Sequence, residues 1–432
     1  MATGLNRIRE MSLKDPNMVF TSVYHLINYD LLYKCYKELD GNKASGVDKV
    51  TKAEYALNLE DNLKDLLERL KRHYFKPQPS LRVYIPKSNG KLRPLGISAF
   101  EDKIVQFALK EVLESVFESK FCDTMYGFRP NRSCHDALKE LDHLIMKENT
   151  SWIVDADIKG YFNSLDHEVI LNAIKFRLAD PSILWLVKKM LTAGIMEEGK
   201  RQPSTKGTEQ GNLASPVIAN IYMHYTLAKW FEIKFKPTCG GKCGLVIYAD
   251  DFVATFQYKD EAERFLKEVA KRFAEVGLEL EPEKTRLVEF GRFAEERRSK
   301  RGEKRPETFD FLGFTHYCAK SRTGYFCVKR KTSSKKFRDK VRAMVQFIKN
   351  NRHVRVSDLI RAVNLKLRGH FQYYGISDNF AMISTFKELT QRALFKWLNR
   401  RSQKKSYTWV GFNELLRALP LEEPKIYHRF YV

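Results

Sequence analysis

Two aspartates, Asp250 and Asp251, stand side by side inside LVIYADDFVATF, an otherwise apolar run whose β-branched and aromatic residues read as a hairpin. Adjacent carboxylates are costly to bury unless something positive sits against them, so any fold of this chain must answer for that pair. Asp157 raises the same demand at the end of the apolar strand SWIVDADI. A divalent cation meets it: Mg²⁺ takes one or two carboxylates with substrate phosphates and water, and two such ions stabilise attacking and leaving oxygens together. Convergence requires the strand of Asp157 to pair beside the hairpin, across 93 residues of sequence. Strand period turns Asp155 to the same face as Asp157, which leaves Asp155 as a competing ligand. Taken alone, Ala-Asp-Asp is also what an ordinary hairpin turn contains.

Length and charge narrow the classes. At roughly 100 to 200 residues per domain, 432 residues predict two to four domains with ample core, which excludes a disulfide-stapled miniprotein. The longest apolar runs, 183–187 and 245–249, have five residues, against about 18 for a membrane span, so a transmembrane chain is excluded. Residues 1–10 lack the apolar stretch of a secretory signal, and seven cysteines read as free thiols in a reducing compartment, so a cytoplasmic location is expected. The net charge of +23 is unevenly placed: residues 291–432 hold 33 basic and 12 acidic side chains, the rest 43 and 41. A near-neutral body with a cationic C-terminal third suits an enzyme core joined to a polyanion grip, because clustered Lys and Arg displace counterions from phosphates. A solvated basic face or attachment to anionic lipid is the alternative, and no long amphipathic anchor accompanies the charge.

Helical periodicity predicts helices over 26–39, 55–70, 101–117, 134–145, 169–178, 183–193, 216–231 and 260–276. Residues 81–97 read as a hairpin around Ser-Asn-Gly, with the return strand stopped by Pro94; strands follow at 152–158, at 245–256 as a hairpin, and after Glu283. The charged run 292–305 reads as an exposed loop. Beyond Lys335 the pattern is almost wholly helical, which sets a boundary near 320–335. The fold class is therefore α+β with a small sheet, followed by a basic helical region.

Six strings decide the wider reading: IPKSNGKLRPLGI at 85–97, YGFRPNRS at 126–133, DADIKGYFNSLDH at 155–167, TEQGNLASPVIANIY at 208–222, YADD at 248–251 and FDFLGFTHY at 309–317. In this order and spacing they resemble the reverse-transcriptase blocks of group II intron-encoded proteins, over about residues 18–420. The resemblance implies a right-hand polymerase with fingers and a palm carrying a small antiparallel sheet, then an all-helical basic thumb or maturase X domain. Its divisions would be 1–80 for an N-terminal extension and the start of the fingers, 81–320 for fingers and palm, and 321–432 for the thumb.

Carried over residue by residue, the resemblance makes Asp157, Asp250 and Asp251 the catalytic ligands of two Mg²⁺ ions, with Mn²⁺ as a substitute, and assigns Ile158 to the metal and nucleotide sites. Lys87 and Arg93 would clamp the triphosphate, Arg as a fork and Lys as a point charge, with Lys284 nearby. Tyr161, where the family usually has Phe, would be a gate against the ribose 2′-hydroxyl, or a core aromatic. Gln210 would line the nucleotide pocket, preceded by Glu209 where the family commonly has Pro. Arg129, Asn131 and Arg132 would track the template backbone, unless they stabilise their loop. Phe311, Leu312 and Gly313 would form the primer grip.

The implied partners are an RNA template or structured intron RNA, a DNA or RNA primer and target DNA, and deoxynucleoside triphosphates, with no membrane. The implied activity is RNA-directed DNA synthesis, joined to maturase help in splicing, in a nucleoid-associated ribonucleoprotein. A domesticated enzyme of DNA repair or phage defence would need the same polymerase residues, and a non-catalytic splicing factor would not need the acids. Cys239 and Cys243 in CGGKC supply two thiols only and read as a flexible turn rather than a zinc site. Nothing after residue 330 shows the His and paired-Cys pattern of an HNH endonuclease, so target cutting is not expected.

Overall fold

The computed structural model of the protein describes residues 4–86, 92–403 and 406–430. The chain divides into two compact units: residues 1–137, 154–254 and 258–287 form the first, and 138–153, 255–257 and 288–432 the second. Among the described residues the strands are β1 Ser80–Pro86, β2 Leu92–Ile97, β3 Trp152–Asp157, β4 Ile195–Glu197, β5 Lys200–Gln202, β6 Cys243–Tyr248, β7 Asp251–Phe256, β8 Arg286–Glu289, β9 Phe309–Phe311, β10 Phe314–Lys320 and β11 Phe326–Thr332. They make three sheets, ordered β2–β1–β4–β5, β6–β7–β3–β8 and β11–β10–β9.

The first unit is built around the helix Phe100–Phe117, whose residues Ile104, Val105, Ala108, Leu109, Val112 and Leu113 have no solvent exposure. The helices Gly4–Lys14 and Tyr29–Glu38 lie against it. Four departures from the sequence reading have local causes. Pro94 does not stop its strand: it pairs opposite Tyr84 within β2, and β2 is an edge strand whose outer side needs no N–H donor. The single helix expected over 55–70 is two, Lys52–Ala56 and Leu59–Lys71; Thr51 and Glu54 cap the first reciprocally and so fix its start upstream. The helix expected over 216–231 is α-helical only for Ser215–Met223 and then widens into π turns at His224–Ala228 and Phe231–Phe235. The charged run 292–305 is not all loop: Ala294–Lys300 is helical, with Glu295 and Glu296 in its first turn, Arg297, Arg298 and Lys300 in its last, and Glu296 bonded to Lys300 at 2.6 Å, all favourable to the helix dipole.

In the second unit, β9–β11 precede the helices Ser334–Asn350, Val356–Tyr374, Phe380–Leu398 and Trp409–Ala418. Arg330 on β11 is fully buried, bonded to Asp142 at 2.8 Å and Asp378 at 3.5 Å, with the ring of Phe430 4.0 Å from its guanidinium. No helix among the described residues is long and apolar enough to cross a membrane.

Candidate active site

The sheet order places β7 beside β3, so the hairpin holding Asp250 and Asp251 lies next to the strand that ends on Asp157. Past Asp157 the chain is pinned to the segment that follows Leu278. Glu281 N donates to Asp157 O at 2.8 Å, Ile158 bridges Leu280, and Lys159 N donates to Glu279 O at 2.9 Å. This return delivers Lys284, whose Nζ donates to Asp157 Oδ2. Asp155 faces Arg286 at 3.7 Å, and its charge also reaches Asp251.

Asp157 is buried, Asp250 half-buried and Asp251 open to water, so the three line a cleft that solvent reaches and protein surrounds. Desolvation in that cleft, with repulsion from Asp157, holds the Asp250 carboxyl above its ordinary range. Asp251 is pushed up to about 7, first by desolvation and then by Asp250 and Asp157. Burial alone would lower the Lys284 ammonium; its bond to Asp157 and the attraction of Asp157 and Asp251 outweigh that and raise it. Among the described residues no three His, Cys, Asp or Glu side chains already stand at metal-holding spacing. The donor set nevertheless fits a hard cation: three carboxylates in one cleft, one of them paired with an ammonium.

The loop 122–132 buttresses the acidic turn. Tyr126 N donates to Ile247 O at 2.9 Å and Ile247 N to Thr124 O at 2.8 Å, which extends β6 sideways. A Cβ on Gly127 would lie 2.4 Å from Ala249 N, so only glycine permits this approach to the turn, where Ala249 itself adopts φ 59°. Asn220 Nδ2 closes the triangle by donating to Gly127 O at 2.9 Å. Sequence reasoning missed Gly127 and Asn220; a buried Asn within the apolar helix SPVIANIYM was the available signal.

Arg129 departs from its expected placement. Its guanidinium is buried and bonded to Glu118 Oε1, Cys122 O and Met125 O at 2.9 Å each, so it locks the loop rather than reaching outward. Arg132 likewise binds Asp123 O at 2.8 Å and lies over Tyr126, whereas Asn131 is exposed in the left-handed region, φ 58°.

Tyr161 is buried beside Asp250, edge-on to Tyr222, with its hydroxyl donating to Ala219 O at 2.7 Å. Gln210 O accepts from Gly96 N at 2.8 Å, and a Cβ on Gly211 would lie 2.3 Å from Gly96 O, so this loop is fastened to β2. Beside that seam is a cavity of about 300 Å³ whose walls include Arg82, Lys206, Glu209 and Gln210. Burial holds Glu209 above its ordinary range against the opposing pull of a Ser80 hydrogen bond and Arg82. Arg93 is exposed on β2 and its charge reaches Asp250, whereas Lys87 lies outside the described residues.

In the second unit, Phe311 is buried, Leu312 (φ 48°) accepts from the Tyr373 hydroxyl at 2.8 Å, and Gly313 (φ 80°) turns the chain against Tyr374. CGGKC forms a turn in which Gly240 N and Gly241 N donate to Glu261 Oε1 at 2.6 and 3.2 Å.

Residues 85–316 match the family model described as reverse transcriptase (RNA-dependent DNA polymerase), more than half of the chain. The chain belongs to the reverse transcriptase family. Residues 334–413 of this reverse transcriptase match the maturase-specific domain of group II introns, on the helices that follow β11. The enzyme is 28% identical to the group II intron-encoded protein LtrA of Lactococcus lactis subsp. cremoris, over 91% of its own length and 76% of the relative's. It is 36% identical to protein YkfC of Escherichia coli over 43% of the chain and 49% of that protein, and 32% identical to a putative COX1/OXI3 intron 1 protein of Saccharomyces cerevisiae over 51% and 26%. The reverse transcriptase is thus an RNA-directed DNA polymerase of group II intron type with a maturase domain, and nucleic acids are its substrates.

Proposed function

We propose that this reverse transcriptase extends a DNA or RNA primer on an RNA template at the cleft of Asp157, Asp250 and Asp251, which would hold two Mg²⁺ ions, or Mn²⁺, with the Ile158 carbonyl beside them. The observation that carries this is the approach of β7 to β3, which sets three carboxylates in one cleft with a lysine already drawn to it. Bound magnesium supplies Lewis acidity to the primer 3′-hydroxyl and charge neutralisation to the pyrophosphate. The chain does the positioning. Lys284 stands on Asp157 at the spot where triphosphate charge would compete for it, and Arg93, with Lys87, closes on the triphosphate from the fingers hairpin. Tyr161 holds a ring, immobilised by Ala219, beneath the sugar of a deoxynucleoside triphosphate.

The same reading takes residues 1–80 as N-terminal extension and start of the fingers, 81–320 as fingers and palm, and 321–432 as thumb. Phe311 to Gly313 serve as primer grip there, and Asn131 and Arg132 border the template. Structured intron RNA and target DNA are the remaining partners, and seven free cysteines suit a cytoplasmic ribonucleoprotein. Primer extension on an RNA template tests the centre: Asp250→Ala with Asp251→Ala is expected to abolish synthesis, and full activity in that variant overturns the assignment.

A further inference from the structure

Phe128 is the residue of the acidic cleft's surroundings that its local chemistry explains least. Its backbone sits at φ 57°, a conformation that a bulky aromatic residue adopts only under constraint. Its side chain is nevertheless 50% exposed, so the strain is not compensated by burial of the ring. Both neighbours explain how it is held there. Gly127 is wedged against Ala249 of the catalytic turn, and Arg129 is buried under three carbonyl and carboxylate acceptors. The loop is therefore clamped on each side of Phe128, and the ring is presented outward between the clamps.

What it faces is the edge of one aromatic: Phe162, 6.2 Å between centroids at 81°. Phe162 follows Tyr161, which lies beside Asp250, and its own ring is only half-buried. The carbonyl of Phe162 accepts from Thr208 N at 2.7 Å, which ties this pair to the loop that carries Gln210. An exposed flat face, held rigidly by a strained backbone next to the acids, is a surface for a planar or ring-shaped group rather than for a phosphate.

We propose that Phe128 is a positioning residue that packs its ring against a nucleotide ring at the reacting end, either that of the incoming deoxynucleoside triphosphate or that of the primer terminus. The inference rests on the three acids being the polymerase centre. Two substitutions separate contact from architecture. Phe128→Gly removes the ring and relieves the backbone, because glycine accepts positive φ; Phe128→Tyr keeps both ring and strain. The expected result is that Phe128→Gly melts at the wild-type temperature or above it, yet shows a change of at least about five-fold in one of two quantities, while Phe128→Tyr stays near wild type. A rise in KM for the triphosphate assigns the contact to the incoming nucleotide, and a rise in Kd for primer–template assigns it to the primer end. Wild-type values of both in Phe128→Gly, or a fall in its melting temperature with activity lost in proportion, overturns the inference. Asp250→Asn run beside it keeps the two readings apart: if that variant still polymerises, the centre has been misplaced, whereas an inactive Asp250→Asn with a normal Phe128→Gly condemns Phe128 alone.

Discussion

Two clusters of charge lie within the chain, and they are composed in opposite ways. In the first unit, Asp157, Asp250 and Asp251 repel one another across a cleft, with Lys284 on only one of them. In the second, Arg330 has no exposure and is matched by Asp142, Asp378 and the face of Phe430. In the Arg330 cluster each acid meets the one buried cation, and the contacts hold the unit together. In the cleft two of the three acids have no such partner, and their mutual repulsion works against the fold. Charge therefore reads as architecture where each group meets an opposite partner within the fold, and as a candidate for function where it does not.

Four experiments sharpen or break that contrast. The largest effect is expected in the cleft: Asp250→Asn with Asp251→Asn should cut primer extension at least about a thousandfold while leaving the melting temperature equal or higher. A large fall in melting temperature would show that these acids were structural. In the Arg330 cluster the signs reverse. Arg330→Ala strands two acids and should lower unfolding free energy by about 3–5 kcal/mol in denaturant titrations, and a loss under 1 kcal/mol would remove Arg330 from its central place.

Asp102 is an intermediate case. It is buried, accepts from Gln78 N at 2.8 Å, and desolvation raises it to about 7, with Glu101, Asp48 and Glu209 adding to the rise. Its folded-state proton affinity exceeds the unfolded value, so the stability it lends is complete below about pH 4 and is lost as pH climbs through 7. Asp102→Asn should therefore gain on wild type between pH 5 and pH 8, on the order of 2 kcal/mol, and a pH-independent difference would contradict the burial argument. The smallest effect belongs to Tyr161→Phe, which removes one hydroxyl bond to Ala219 at about 1 kcal/mol and keeps the ring. Its preference for deoxynucleotides should stand, whereas Tyr161→Ala should admit ribonucleotides; equal sugar selectivity in all three proteins would end the gate assignment.

Much of this was legible in the residues. Acids interrupting apolar β-sequence marked both strands of the cleft, and the helices over 101–117 and 134–145 were found within two residues at each end because their periodicity is long and regular. The β4–β5 hairpin escaped: three residues a side, with Lys200–Gln202 all exposed, leave no alternation to read. Arg129 shows a different limit. Its type suits phosphate, but which way a guanidinium turns is decided by where the carbonyls of Cys122 and Met125 fall once the loop closes. Charged side chains within helix 294–300 looked like loop because polarity hid a favourable order of signs. Gly127 and Asn220 are hydrogen-bonded to each other across 93 residues of sequence, a relation that no local window contains.

The ammonium of Lys284 resting on Asp157 bears on how such an enzyme is made. A nascent chain must assemble its sheet before any template, primer or triphosphate is at hand, and three naked carboxylates would resist that closure. A tethered cation offsets part of that repulsion while the sheet closes, so maturation of the protein need not wait on a ligand to neutralise its own acids.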